Sequence, residues 1–302
     1  MEERAFMACV AVLPREMRTA CAAYAAGRGH AWEEIRLRAG RGLSLVGPGC
    51  EETVLLSGHP IRVSAQDLRT VLELATNSSY QSAAEQLRRG FYTMKGGHRI
   101  GVTGSIAVRE GQAVAFRELS SLTIRVARAV PGAASGLEET LMENGRFQST
   151  LLLSPPGGGK TTLLRELLVL LSDRFGQRIA LADERGEVAA LWKGEPQLRV
   201  GERTDVLDGC PKAEGMLMLL RSMTPQVLAV DEITARADVE AITMAANCGV
   251  AVLATAHAAD TADLSRRPLY RRLLAQRVFE RAIVIRREET GARRYMMESI
   301  TC

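Results

Sequence analysis

Apolar residues change their period along this chain, and the changes divide it into two stretches. Pro14–Ala26 has a helical pattern, and Glu33–Leu45 alternates around Ile35-Arg36-Leu37-Arg38 as a strand does. In Ser64–Asn77 the apolar residues Leu68, Val71, Leu72 and Ala75 share one helical face. Ser64, three residues before Asp67, supplies an N-terminal cap. A second helix, Ser82–Arg89, ends at Gly90. The period then drops to two. Tyr92–Lys95, a Gly96-Gly97 turn and His98–Val108 read as a hairpin. Arg109-Glu110-Gly111 turns the chain into Gln112–Phe116, and Leu122–Ala127 is a further strand.

Beyond Val130-Pro131-Gly132-Ala133-Ala134-Ser135-Gly136, which is small and turn-rich, continuous apolar runs alternate with helical stretches. Strands are expected at Ser149–Leu153, Arg178–Ala182, Val227–Val230 and Val250–Ala254, with helices at Lys160–Asp173 and Ala237–Cys248. Such alternation predicts a parallel sheet covered by helices on both faces. Val278–Arg287 and Arg294–Ser299 close the chain as a hairpin across Glu289-Thr290-Gly291. The expectation is an α/β protein: a smaller α+β domain over 1–130, a junction over 131–148 and a mainly parallel α/β domain over 149–302.

Composition narrows the classes. The 302 residues, 46% hydrophobic and 25% charged, suffice for two soluble cores. Met1-Glu2-Glu3-Arg4 lacks the basic start of a signal peptide, and runs such as Leu167–Leu171 and Val250–Ala256 are too short to span a bilayer. A soluble chain is expected, reaching a membrane only through a partner. Aromatic content of 4% speaks against a base-stacking surface, so no nucleic-acid partner is expected. The net charge of +4 is uneven, with 17 Lys and Arg against 12 Asp and Glu over residues 1–130. Six cysteines lie far apart, without metal or disulfide spacing, as in a reducing cytoplasm.

The chemistry centres on Ser154-Pro155-Pro156-Gly157-Gly158-Gly159-Lys160-Thr161-Thr162, set between strand and helix. This is the context of a P-loop, in which the backbone of Pro156–Thr162, through the N–H groups that follow the proline, and a helix N-terminus cradle phosphates. Lys160 then reaches the β- and γ-phosphates, and the Thr161 hydroxyl ligates Mg²⁺. Ser154 stands where the usual pattern opens with glycine. Val227-Leu228-Ala229-Val230-Asp231-Glu232 fits a Walker B strand, with Asp231 holding Mg²⁺ and Glu232 activating water. Asp183 and Glu184 end a neighbouring strand. They either support Mg²⁺ and its water or cap the next helix and pair with Arg185. Thr255 and His257 follow another strand, placed to sense the γ-phosphate. A second cation for the transition state comes from among Arg221, Arg125, Arg128, Arg203, Arg266 and Arg267, possible in trans, and the sequence does not choose. Gly96-Gly97 and His98-Arg99 read as a structural turn, and Arg266–Arg272 as a solvated helix first, with a subunit interface or a patch for a partner as alternatives.

These segments together resemble the stage III sporulation protein AA family, relatives of the type II and type IV secretion ATPases. The carrying stretches are Leu152–Arg165, Asp183–Glu187, Gly201–Ala229, Asp231–Ile233 and Ala254–His257, with Glu34–Arg38, Gly96–Gly104 and Ser120–Ala127 in the first region. Gly201–Arg221 is the most specific, since a generic P-loop protein has no reason to contain it. The resemblance implies a RecA-like ATPase using ATP and Mg²⁺, working as a homo-hexamer. Asp183 and Glu184 fall at the family's acidic box and His257 at its His box. It further implies a mother-cell cytoplasmic location, docked on a membrane-embedded platform protein of a channel into the forespore. The zinc-binding tetracysteine module of secretion ATPases is missing. A nucleotide-gated assembly switch and a nucleic-acid-stimulated ATPase stay open as rivals.

Overall fold

A computed structural model describes residues 2–300 except 27, 29–30, 78–79, 110–111, 128–131 and 289–291. Arg128, Glu110-Gly111, Val130-Pro131 and Glu289-Thr290-Gly291, named above, lie outside the described residues. The chain forms two compact units, Met1–Arg128 with Trp192–Gln197, and Ala129–Leu191 with Leu198–Cys302. The excursion at 192–197 is absent from the linear division that the sequence suggests.

In the first unit the described elements include α1 (Glu2–Val10), α2 (Arg15–Ala26), β1 (Glu34–Arg38), β2 (Ser44–Gly47) and β3 (Cys50–Thr53). There follow α3 (Ala65–Ala75), α4 (Tyr80–Arg88), β4 (Phe91–Thr93), β5 (Arg99–Arg109) and β6 (Gln112–Arg125). The strands form one antiparallel sheet, ordered β3-β2-β1-β6-β5-β4. Its core joins Ile35, Leu37, Ile100, Leu122 and Ile124 to Leu68, Val71 and Leu72 of α3. Ser64 caps α3 as expected, its hydroxyl accepting from the Asp67 N–H at 3.1 Å while Asp67 accepts the Ser64 N–H at 2.8 Å. The strand over 112–125 is one element where the sequence suggested two. Register shifts at three points in the β5–β6 ladder break the period-two alternation there. His98 is structural, its Nδ1 accepting the Ala127 N–H at 3.0 Å.

The second unit is an α/β layer structure. Its principal elements are β7 (Thr150–Leu153), α5 (Lys160–Val169, continued by one π-turn), β8 (Ile179–Asp183), β9 (Thr204–Asp208) and α6 (Lys212–Met223). They continue with β10 (Val227–Val230), α7 (Arg236–Asn247), β11 (Ala251–Ala256), α8 (Thr261–Arg266), α9 (Pro268–Ala275), β12 (Arg281–Arg287) and β13 (Arg293–Ser299). The sheet order is β9-β8-β10-β11-β7-β12-β13, parallel except for β13. Alternate residues of one strand serve opposite cores. Leu152 joins Leu163, Leu164, Leu167 and Leu168 of α5, while Leu151 and Leu153 join Met216, Ile242 and Leu273 on the other face. Burial on both faces explains why the central strands read as unbroken apolar runs. The edge strand β9, Thr-Asp-Val-Leu-Asp, was not foreseen because its half-exposed pattern carries polar residues. Arg266–Arg272 is split by Arg267 between two short helices, with Tyr270 buried beside it.

Candidate functional site

Parallel strands deliver their carboxyl ends to one sheet edge, so Leu153, Asp183, Val230 and Ala256 each lead into a loop on the same side. The loop after β7 turns through Gly157 (φ +74°) and Gly159 (φ +99°), conformations that favour glycine. A Cβ on Gly158 would fall 1.5 Å from Ser154 Oγ, so the serine side chain fills space that only glycine can concede. Ser154 is fully buried and donates to the Pro155 carbonyl at 3.0 Å. The N–H groups of Lys160, Thr161 and Thr162 open α5, where no acceptor exists within the helix.

Lys160 is buried, and its three ammonium donors meet three acceptors: Ser154 O at 2.9 Å, Pro155 O at 3.2 Å and His257 Nδ1 at 2.8 Å. An ammonium at Nδ1 leaves the imidazole proton on Nε2, which faces Glu232 Oε1 at 3.1 Å. Burial lowers the Lys160 pKa, and the charges of Asp231 and Glu232 oppose that fall. Thr161 donates its hydroxyl to Asp231 Oδ2 at 3.0 Å. Thr255 donates to Asp231 Oδ1 at 2.9 Å and accepts the Glu232 N–H at 2.8 Å. Burial raises the Asp231 pKa against the two hydroxyl bonds, which lower it. Glu232 itself sits at φ +51°, a left-handed backbone rare for this residue type.

Several further residues, of which the sequence singles out only Arg185, hold this arrangement. Lys212, buried at the start of α6, donates Nζ to the Glu232 carbonyl and to Thr234 Oγ1 at 2.9 Å, and stands 3.7 Å from Asp238 Oδ2. It therefore braces the peptide of the left-handed glutamate. Arg185 Nη1 lies 3.6 Å from Glu232 Oε2, and Arg293 Nε donates to Gly158 O at 3.2 Å. Arg165 donates to Val188 O at 2.7 Å and Glu187 O at 2.9 Å. Lys212 lay inside the Gly201–Arg221 stretch, whose specificity was the available signal.

The expected acidic pair behaves differently from its motif. Asp183 accepts the N–H groups of Glu187 at 3.0 Å, Val188 at 3.1 Å and Ala189 at 2.9 Å, which orders an irregular turn rather than capping a helix. Burial pushes its pKa up to about 6 against those bonds. Glu184 faces Lys212, at 3.9 Å, while Arg185 turns to Glu232 instead of either acid of its own segment. A cavity of about 20 Å³, room for one water, lies among Asp183, Glu187, Lys212, Asp231 and Glu232. Arg203 donates to Gly176 O at 3.2 Å, Arg125 pairs with Glu34 in the first unit at 3.2 Å, and Arg221 ends α6, exposed. Among the described residues, neither Arg203 nor Arg221 touches the cluster.

Residues 13–297 match the family described as sporulation stage III, protein AA. The chain belongs to that family. It is 36% identical over 280 residues to the stage III sporulation protein AA of Bacillus subtilis (strain 168), covering 91% of this chain and 89% of that one. It is also 33% identical over 174 residues to the uncharacterized protein ycf45 of Porphyra purpurea, covering 57% of this chain and 28% of the relative. Among solved structures, the ATPase DotB of Yersinia pseudotuberculosis matches with a TM-score of 0.58 at 14% identity, covering 95% of this chain and 80% of that one. The pilus retraction motor PilT, with bound ADP, matches with a TM-score of 0.55 at 18% identity, covering 90% and 79%. The family member thus shares the RecA-like α/β fold of these two proteins, and among its described residues no helix is long and apolar enough to cross a membrane.

Proposed function

We propose that this family member is a Mg²⁺-dependent ATPase whose hydrolysis drives a homo-hexameric secretion-type motor. One observation carries the reading: three strand ends bring Lys160, Thr161, Asp231, Glu232, Thr255 and His257 into one continuous bonded set. The donor set suits ATP and its metal. A loop that a Cβ would obstruct, first-turn N–H groups and a buried ammonium meet phosphate, and the Thr161–Asp231 oxygen pair suits a hard cation. Bound ATP with Mg²⁺ supplies the transferable phosphoryl group and concentrates the charge that the site must stabilise.

In this reading the backbone from Pro156 to Thr162 binds phosphate, and Lys160 exchanges one of its three acceptors for a phosphate oxygen. Thr161 and Asp231 hold the metal, directly or through water. Glu232 orients the attacking water and takes its proton. His257 steadies the Glu232 carboxylate through Nε2–H, Thr255 locks its N–H to Asp231, and Lys212 fixes its carbonyl. Asp183 positions the acidic turn from behind instead of ligating metal. The assisting guanidinium comes from Arg185 within the chain, or from Arg221, Arg125, Arg128 or Arg203 of a neighbouring copy. Family membership and the secretion-ATPase fold support a place on the mother-cell side of the sporulation septum, docked on a membrane-embedded platform protein.

A second reading, a nucleotide-gated assembly switch with very slow turnover, is favoured by Arg185 standing over Glu232 Oε2. Phosphate release measured across protein concentrations, with particle size read with and without a non-hydrolysable ATP analogue, separates the two. The motor requires specific activity to rise with assembly. A fully active monomer overturns the ring, and nucleotide-dependent assembly with negligible turnover establishes the switch.

A further inference from the structure

The first unit holds a cavity of about 330 Å³ between α3, α4 and the outer half of β6, far in character from the site above. Its apolar wall is Leu72, Leu87, Val114, Phe116 and Leu119, and its volume is at the lower end of ligand pockets, about 300–1,000 Å³. Arg69, Arg88 and Arg117 also line it. Arg69 bonds to the neutral Gln66, and among the described residues none of the three guanidiniums has a carboxylate partner. Cationic heads around an apolar floor select an anionic, apolar occupant.

The backbone adds a second requirement. β5 pairs with β6 along its whole length, whereas β1 pairs only with Ser121–Arg125. From Val114 to Leu119 one edge of β6 therefore has no strand beside it among the described residues. Four consecutive residues, Val114–Arg117, line the cavity, which a regular strand showing one face could not do. Ile106, opposite Phe116, and Val108 and Val114 carry exposed apolar surface onward from the cavity. An acyl chain with a charged head would meet the cavity and the arginines but leave the strand edge unpaired. A nucleic acid would meet the arginines but not the aliphatic floor.

We propose that this groove binds an extended acidic peptide segment of a partner protein by strand addition along Val114–Leu119, its apolar side chains entering the cavity and its carboxylates meeting Arg69, Arg88 and Arg117. Main-chain pairing supplies affinity in such complexes, and the alternate side chains supply selectivity.

Displayed random decapeptides selected on the full chain, with counter-selection on an Arg69→Glu/Arg117→Glu variant, test this. Both positions are exposed and lie outside the ATPase site, so the variant keeps its melting temperature and its basal turnover. The expected result is enrichment of sequences alternating apolar residues with Asp or Glu. Synthetic copies should bind the wild type at least about tenfold more tightly than the variant, and weaken with salt. N-methylation at alternate backbone positions should abolish that binding, while methylation at the intervening ones should not. No differential enrichment, or binding indifferent to N-methylation, overturns the proposal. So does dodecyl phosphate binding in the groove while no selected peptide does.

Discussion

Two neighbouring parallel strands of the second unit end in Asp-Glu, Ala-Leu-Ala-Asp183-Glu184 and Leu-Ala-Val-Asp231-Glu232, and the fold gives them different partners. Asp183 faces backbone N–H groups of its own following turn, and three of them occupy its oxygens. Asp231 faces two hydroxyls, Thr161 and Thr255, that come from other strand ends. Glu184 looks to a lysine, Glu232 to His257 and Arg185. A carboxylate satisfied by fixed amides becomes scaffold. One satisfied by hydroxyls, which can rotate toward a cation, remains available for chemistry.

The largest effect should separate the two glutamates. Glu232→Gln should cut ATP turnover by about a thousandfold while leaving fluorescent-nucleotide binding within about twofold, as loss of a group acting only in the reaction requires. Glu184→Gln should change turnover by less than about threefold. Equal losses in both would erase the distinction.

The two aspartates should then divide by stability. Asp183→Asn presents an NH₂ to a buried amide donor, and should lower unfolding free energy by about 2–4 kcal/mol in a urea titration. Asp231→Asn should cost under about 1 kcal/mol and abolish Mg²⁺-dependent turnover. The pH dependence has a definite sign. A folded pKa of about 6 against an ordinary 3.8 means that the folded state binds the Asp183 proton more tightly. That contribution is complete below pH 3.8 and is lost as pH rises through 6, roughly 3 kcal/mol in all. Asp183→Asn should flatten this part of the profile, and an unchanged slope would refute the assignment.

Lys212→Met is the finest probe, because it acts on Glu232 only through its carbonyl. It should lower kcat about tenfold with the KM for ATP within about twofold, and lower the melting temperature by several degrees. A shifted KM with unchanged kcat would place Lys212 in nucleotide binding instead.

Much of the site was legible because its signals are local. Gly157–Thr162 must lie together for the backbone to turn, and Asp231-Glu232 follow an apolar run that ends at the sheet edge. The difference between Asp183 and Asp231 was not legible, since Asp183 is held by backbone N–H groups, which no side-chain pattern marks, and Asp231 by hydroxyls from distant strand ends. The bonds of Lys212, and the turn of Arg185 to Glu232 rather than to its own acids, were equally hidden. Lys212 reaches the peptide of Glu232, twenty residues onward, and Arg185 crosses between two strand ends. The long β6 was misread as two strands because bulges shift the alternation on which the reading depended.

Local periodicity and spacing determined that this chain holds a parallel α/β layer with a glycine loop, a lysine and two Asp-Glu strand ends, while whole stretches such as Gly201–Arg221 carried its resemblance to the sporulation family to which it belongs. Only the tertiary structure decided which acid is scaffold, which lysine braces the glutamate, and that a bare strand edge meets an arginine-lined cavity. Asp183 is held by backbone N–H groups of its own turn, which any residue type supplies, and the other outcomes depend on partners far apart in sequence, so neither leaves a pattern in the chain to read.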